Sequence, residues 1–421
     1  MNENAPASGS WFSRIIKETF ISLRHRNFKL FFIGQMISNT GNWLTNVALI
    51  LLVLKLTKSG LAVGLLTACQ YGPVLLLSAW AGTFADRLDK QRMLLLTQSL
   101  EMTQSIGLAT LAFMKHPPLA GLYILAACGG TLLSFDNPLR RSFLSEMVPA
   151  EDIPNAVVLY STIVNVSRIF GPALAGLLVV TLGYGWCFTI DASTYLAVLF
   201  CLYIMRPGEL YREPLTTRVK GSVREGLRYV RSVPMLWITF AMLAAIGTLA
   251  YNFNVTLPIF VTGVLHKSEG VYTILYSIFS FGALVSALVV AHRNLVQMRH
   301  VIFGAVALGI AMLLLASVSG VGLAVPVIFI VGLSSILYTT ANTTIVQVET
   351  KHEMIGRVLA LQSVLQMGTT PIGGPLTGWI ADTMGGRAPI ILGGIVCLMA
   401  AAFGYYATRR YVTPTEFCQL M

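Results

Sequence analysis

Runs of about twenty apolar residues follow one another along almost the whole chain, separated only by short clusters of turn-forming, proline and charged residues. A run of that length is what a helix needs to cross the hydrocarbon of a bilayer. Lipid offers the backbone no hydrogen-bond partner, so each crossing must satisfy its own peptide groups. Read against the punctuation, the runs give twelve spans: 28–54, 60–84, 93–114, 119–144, 154–181, 185–205, 234–264, 271–291, 300–318, 322–347, 355–383 and 388–408. Only 11% of the 421 residues are charged, against about 25% in a soluble domain. Little chain is left for a soluble unit. The expected fold is all-α, a polytopic membrane protein with twelve transmembrane helices.

The connections set an orientation. Counted together with Lys29, Arg140, Arg141 and Arg357 at the adjoining span ends, both termini and the loops after even-numbered spans hold 23 of the 29 Lys and Arg residues, the opposite loops hold 5, and Arg168 lies deep inside span 5. By the positive-inside rule both termini face the cytoplasm, in a cell inner (plasma) membrane, and the number of spans is even. The net charge of +11 is therefore a product of topology, and no nucleic-acid partner is expected. Met1 to Ser10 is polar and precedes no short apolar core with a cleavage site, so no secretory signal is expected. Five segments follow: 1–27, a cytoplasmic amphipathic piece; 28–206, a six-helix bundle; 207–233, a basic linker; 234–408, a second six-helix bundle; and 409–421, a tail. In the linker, Val219, Val223, Leu227 and Val230 recur at helical spacing opposite Arg224, Arg228 and Arg231, as in a helix lying on the inner leaflet. The six cysteines are scattered without CxxC or histidine partners, so neither a disulfide nor a metal site is expected, and no cofactor is called for.

The two bundles read as a repeat. Shifting the chain by 202 residues sets Gly176 on Gly378 and Gly183 on Gly385. Parallel six-span repeats place a binding site near the midplane between them. After span 2 comes Gly82-Thr83-Phe84-Ala85-Asp86-Arg87-Leu88-Asp89-Lys90-Gln91-Arg92, and span 5 contains Gly171-Pro172-Ala173-Leu174-Ala175-Gly176. The first resembles the G-x-x-x-D-R-x-G-R-x-R signature of the major facilitator superfamily, with Asp89 in place of its second glycine. The second resembles the G-P-x-x-G-G motif of the antiporter members, with Ala175 ahead of Gly176. Asn27-Phe28-Lys29-Leu30-Phe31, Phe135-Asp136-Asn137-Pro138-Leu139-Arg140-Arg141, and Asn155-Ala156 with Arg168 are similar to the drug-efflux and siderophore-exporter (enterobactin-type) branch. The resemblance implies the major facilitator fold of two pseudo-symmetric bundles. It also implies that Asp86 caps the start of span 11 and that Arg87, Lys90 or Arg92 pairs with Asp136, a latch that includes Gly82.

Ionic and amide side chains inside the spans are costly in lipid, so they mark a bundle interior or a wet path. Glu101 and Asp136 lie at about the same depth, roughly 13 Å from the cytoplasmic surface at 1.5 Å per residue. Arg168 sits higher in span 5 but points back toward them. Two readings stay open for this trio: proton coupling, or a static ion pair that fixes packing. Gln35, Asn39, Asn42 and Asn46 recur at i, i+4, i+7 and i+11, on one face of span 1. Asn165 beside Arg168, Tyr251 and Asn252 in span 7, Tyr338 and Asn342 in span 10, and Gln362 and Gln366 in span 11 extend the expected cavity wall. Asp191 and Asp382 lie near the outer ends of spans 6 and 11 and read as structural.

With no Walker A, HExxH or G-x-S-x-G sequence, an enzyme is not expected. The expected function is export of an amphipathic small molecule, a drug, siderophore or related metabolite, by alternating access in exchange for protons, by a monomer embedded in the bilayer. A lipid or lysolipid transporter, a passive facilitator on the same fold, and a receptor or scaffold stand as alternatives.

Overall fold

Twelve crossings account for the architecture of the computed structural model, which describes residues 20–85, 88–211, 223–291 and 297–411. They are α1 (Arg26–Thr57), α2 (Gly60–Ala85), α3 (Lys90–Ala112), α4 (Leu119–Leu144), α5 (Ile153–Thr181), α6 (Tyr184–Tyr203), α7a (Pro234–Leu249) with α7b (Phe253–Ile259), α8 (Glu269–Ala291), α9 (Met298–Ser317), α10 (Val321–Val348), α11a (Ile355–Gly368) with α11b (Thr370–Met384), and α12 (Ala388–Tyr411). Ten of these crossings are apolar enough over 18 residues to be recognised by hydropathy and length alone. The other two are informative. In α3, Gln98, Glu101 and Gln104 dilute the apolar run, and the eleventh crossing is split at Thr369 just before Pro371.

The seventh crossing is also broken, at Ala250–Asn252, and its second piece ends in a wide turn from Phe260 to Val264. The two breaks face each other. Gly247 leaves room for the Thr369 hydroxyl, and Gly373 lies against the Thr248 carbonyl. Interrupted helices of this kind give a bundle places to bend.

An even number of crossings puts Arg26 and Tyr411 on one face of the membrane, here called the terminus face. On the opposite, far face, the halves grip each other. Asp382 at the end of α11b accepts hydrogen bonds from the Ser59 hydroxyl (2.6 Å) and from the backbone N–H groups of Gly60 (2.5 Å) and Leu61 (3.0 Å). It thereby supplies the acceptors and negative charge that the first turn of α2 needs. Tyr184 at the start of α6 donates to Glu269 at the start of α8, at 2.5 Å.

Close packing backs these clasps. Gly378 of α11b lies on the Gly60 carbonyl, and Gly176 of α5 lies on Thr273 of α8, so any Cβ there would collide with the other half. The repeat is visible in the same residues. Gly176 and Gly378 make equivalent crossings, while Gly183 and Gly385 both take positive φ, 89° and 91°, in the equivalent turns. A side chain would strain either turn.

The terminus face is stapled within each half. His25 meets Asp152 at 2.7 Å, and Asn27 exchanges two 3.0 Å hydrogen bonds with the backbone of Arg206. The linker helix spans Val223–Ser232. It buries Val230 against Leu236, Phe240, Val346 and Val358, and Glu225 pairs with Arg357 at 2.9 Å. The linker helix therefore rides on the carboxy-terminal half. The proposed amphipathic segment before Phe20 lies outside the described residues.

Candidate functional site

Asp136 and Arg140 are one helical turn apart on α4, and the side chains of a helix lean toward its N-terminus. Arg140 therefore reaches back, away from the terminus face, onto Asp136. Its Nε pairs with Asp136 Oδ2, one Nη lies 3.6 Å from Glu101 Oε2 on α3, and the other donates to Gln35 Oε1 on α1. The side chains of Arg140, Asp136 and Glu101 are 5%, 1% and 8% exposed. Gln98 joins the two acids, donating to Glu101 (2.9 Å) and to Asp136 (2.8 Å), and Thr97 donates to Asp136 at 3.2 Å.

Two carboxylates thus share one guanidinium away from water. A buried charge is tolerated when paired and hydrogen-bonded, and a surplus one costs several kcal/mol. One proton on either carboxyl removes the surplus. The arrangement can therefore hold and release a proton without dismantling the ion pair.

This cluster forms a wall of a cavity of about 220 Å³. Asn39, Asn42 and Asn46 contribute from α1, Gln70 and Tyr71 from α2, Glu101 and Gln104 from α3, Asn137 from α4, Tyr160 from α5, and Asp191 and Tyr195 from α6. All of its lining residues come from α1–α6. The sequence points to a site between the halves, whereas this cavity lies inside the amino-terminal bundle, because the asparagine face of α1 turns toward α4 and α6. Asn42 accepts from the Tyr195 hydroxyl at 2.5 Å, and Asn39 donates to Gln35 Oε1 at 3.3 Å. Gln35 is spent on orienting Arg140.

Arg168 does not join the carboxylates. At 1.5 Å per residue it lies about 22 Å into α5, and its guanidinium sits over the Trp43 ring, 5.6 Å from the centroid. Gly171, one turn on, has no side chain to push Trp43 away: a Cβ there would strike the Trp43 Cβ. The buried Pro172 follows it inside an unbroken α5. The cation that does meet Asp136 and Glu101 is Arg140, which the loop count assigns to the cytoplasmic connection after span 4. Its signal was the i, i+4 spacing from Asp136. Asp191 also departs from expectation. Seven residues into α6, it is fully buried, accepts from Thr45 (2.6 Å) and Ser105 (2.7 Å) through Oδ2, and borders the cavity.

The latch residues divide. Gly82 lies in the last turn of α2, and Asp86 and Arg87 fall outside the described residues. Lys90 pairs with Glu146, and Arg92 lies 3.9 Å from Asp89, so neither pairs with Asp136, whose partner is its own helix neighbour. Asp89, standing where the motif has glycine, caps α3 by accepting from the Arg92 N–H at 3.1 Å. That is a local reason for an acid at this position.

In the carboxy-terminal half the predicted wall residues do not border this cavity. Asn342 is fully buried, donating to the Thr239 carbonyl at 3.1 Å and accepting from Gln362 at 3.1 Å. These bonds tie α7a, α10 and α11a together. Tyr251 donates to the Ser335 carbonyl at 2.7 Å and stacks on the buried Tyr338 with centroids 6.4 Å apart. Asn252 donates to the Thr248 carbonyl at 2.6 Å beside the break in the seventh crossing. In α5, Asn165 bonds the Ser161 carbonyl of its own helix, and Gln366 is exposed. Among the described residues no group of three or more His, Cys, Asp or Glu side chains has the disposition to hold a metal ion.

Comparison with known proteins places this geometry. Residues 17–416 match the family model described as Transmembrane secretion effector. The chain is 25% identical to the staphyloferrin A transporter of Staphylococcus aureus, covering 91% of this chain and 96% of that one. It is 24% identical to the multidrug efflux pump Tap of Mycolicibacterium fortuitum, over 88% and 94% of the two chains. It is also 24% identical to the enterobactin exporter EntS of Citrobacter koseri, over 86% of each. A bacterial homolog of the human lysosomal transporter Spinster, in an inward-facing and unoccupied conformation, superposes with a TM-score of 0.71 at 14% identity, covering 92% of this chain and 99% of that one. A POT family peptide transporter superposes with a TM-score of 0.74 at 12% identity, over 92% and 98%. At these identities the structures speak to the fold alone.

Proposed function

Because the chain belongs to the Transmembrane secretion effector family of the major facilitator superfamily, we propose that it exports an amphipathic small molecule, of the drug or siderophore kind, in exchange for protons. The observation that carries the exchange is the pair of carboxylates, Glu101 and Asp136, held by a single Arg140 beside a polar cavity. A proton neutralises the surplus charge when the cavity is empty. A substrate that brings positive charge to the cavity does the same, so the two compete, and competition for one set of charges is what exchange requires.

Alternating access is supported by the uneven grip of the halves. The far face is held by Asp382 on α2 and Tyr184 on Glu269, and the interrupted seventh and eleventh crossings supply places to bend. With the termini in the cytoplasm, as the Lys and Arg distribution supports, the far face is the outer one and the described state is closed to the outside. The protein works as a monomer in the cell's plasma membrane, needs no cofactor, and has Asn39, Asn42, Asn46 and Tyr195 as its first contacts with substrate.

The test is a proteoliposome transport screen with and without an imposed pH gradient, on wild type, Glu101→Gln and Asp136→Asn. Export that follows the gradient in wild type, with gradient dependence lost in the variants and substrate binding weakened but still measurable, supports exchange through this pair. Equal transport in all three refutes it.

A further inference from the structure

Charge in the amino-terminal half has two poles. The first is the cavity, whose charged lining is Glu101, Asp136, Asp191 and a single Arg140, so three acids face one base. Asp191 is fully buried, and its Oδ1 has no hydrogen-bond partner. The second pole is Arg168. Tyr160 and Val164, which border the cavity, are eight and four residues before Arg168 on α5, so all three share one helix face, with Arg168 about 6 Å beyond the cavity wall.

The guanidinium of Arg168 lies over Trp43, whose ring centroid is 6.1 Å from that of Tyr276 on the other half. Among the described residues no carboxylate pairs with Arg168: Asp136 and Glu101 are held by Arg140, and Asp191 is bonded by Thr45 and Ser105. A cation inside a membrane whose only described partner is an aromatic face lacks the anion that would balance it.

We propose that the substrate is a zwitterionic amphipath whose cationic group enters the acid-lined cavity while its acidic group pairs with Arg168, its apolar body lying against Trp43 and Tyr276. This rests on the exporter reading above and names the substrate class of the same site. It also gives the exchange its sign. The cationic end competes with protons for the carboxylates, whereas a simple anion beside those carboxylates would draw protons in with it.

Three xanthene dyes of related skeleton separate the possibilities: rhodamine B, which carries a cation and a carboxylate; rhodamine 6G, the cationic ethyl ester of a closely related rhodamine; and fluorescein, an anion. Binding is read by fluorescence anisotropy on the purified full chain, for wild type, Arg168→Gln and Arg168→Lys, each checked for monodispersity. Wild type is expected to hold rhodamine B about tenfold or more tighter than either relative, as a charge-assisted pair adds. Arg168→Gln brings rhodamine B down to the level of rhodamine 6G without changing the latter, and Arg168→Lys keeps part of the preference. Wild type that binds rhodamine 6G or fluorescein as tightly as rhodamine B, or binds none of the three, overturns the proposal, as does equal loss of both rhodamines in Arg168→Gln. Rhodamine B transport indifferent to a pH gradient, with the charge preference intact, removes proton exchange and leaves the substrate class standing.

Discussion

Replacing Arg140 by glutamine isolates the physics of the cluster. The substitution keeps a shorter, neutral hydrogen-bonding side chain and deletes the cation shared by Asp136 and Glu101, whose side chains are only 1% and 8% exposed. Removing one partner of a buried ion pair costs about 3–5 kcal/mol, because the charge left behind is uncompensated. In a helical half of this size each kcal/mol lowers Tm by roughly 2–4 °C, so the variant melts about 6–20 °C below wild type. Adding Asp136→Asn removes one of the stranded charges and recovers most of the loss, which makes the double variant more stable than Arg140→Gln alone.

The pH dependence has a definite sign. Protons on the stranded carboxyls remove the charge that Arg140 balanced, so the gap to wild type narrows as pH falls and widens as it rises. Thermal melts of the detergent-solubilised proteins across acid to mildly alkaline pH read this directly. A gap that stays constant with pH, together with no recovery in the double variant, would mean that Arg140 acts by packing alone.

Asp382→Asn removes the charge that caps α2 across the halves and weakens three hydrogen bonds, which costs the far-face-closed state about 1–3 kcal/mol; spin labels at Lys58 and Met384 should move apart, and an unchanged distance distribution contradicts the clasp. Gly176→Val drives a side chain into Thr273 of the other half, so it abolishes transport in a protein that remains monodisperse; transport at the wild-type rate would show that this crossing is not needed for closure. Asp191→Leu leaves the Thr45 and Ser105 hydroxyls without their acceptor and costs about 1–3 kcal/mol, whereas Asp191→Asn costs less; equal melting of both would deny the carboxylate its hydrogen-bonding role.

Most of the fold was legible because lipid leaves a chain few choices. Length and apolarity gave the crossings, and Gly183 and Gly385 announced the repeat that their matching positive φ values express. Even α3 could be placed, by length between charged ends, although its glutamines and Glu101 depress its hydropathy. Prolines alone do not mark the breaks in the seventh and eleventh crossings, since Pro73, Pro138, Pro172 and Pro326 all sit inside unbroken helices.

The site was half legible. Glu101, Asp136 and the asparagine face of α1 stood out because a polar group in a lipid-spanning run demands an account. Arg140 did not, because it lies near the end of its span, where a count of loop charges absorbs it. Burial decides that question, and burial depends on which helices pack together, a matter the sequence of α4 alone does not carry. The same holds for Asn342 and Gln362, whose polarity serves helix-to-helix bonding and not the cavity wall.

Proton release on substrate binding tests the claim that substrate and protons share the Glu101, Asp136 and Arg140 cluster more directly than any transport rate. In lightly buffered detergent solution with a pH-sensitive dye, adding the solute identified by the transport screen should release protons from wild type, and release should be lost in the Glu101→Gln, Asp136→Asn double variant that still binds. Binding that releases the same protons with both carboxyls removed, or none from wild type, would contradict it.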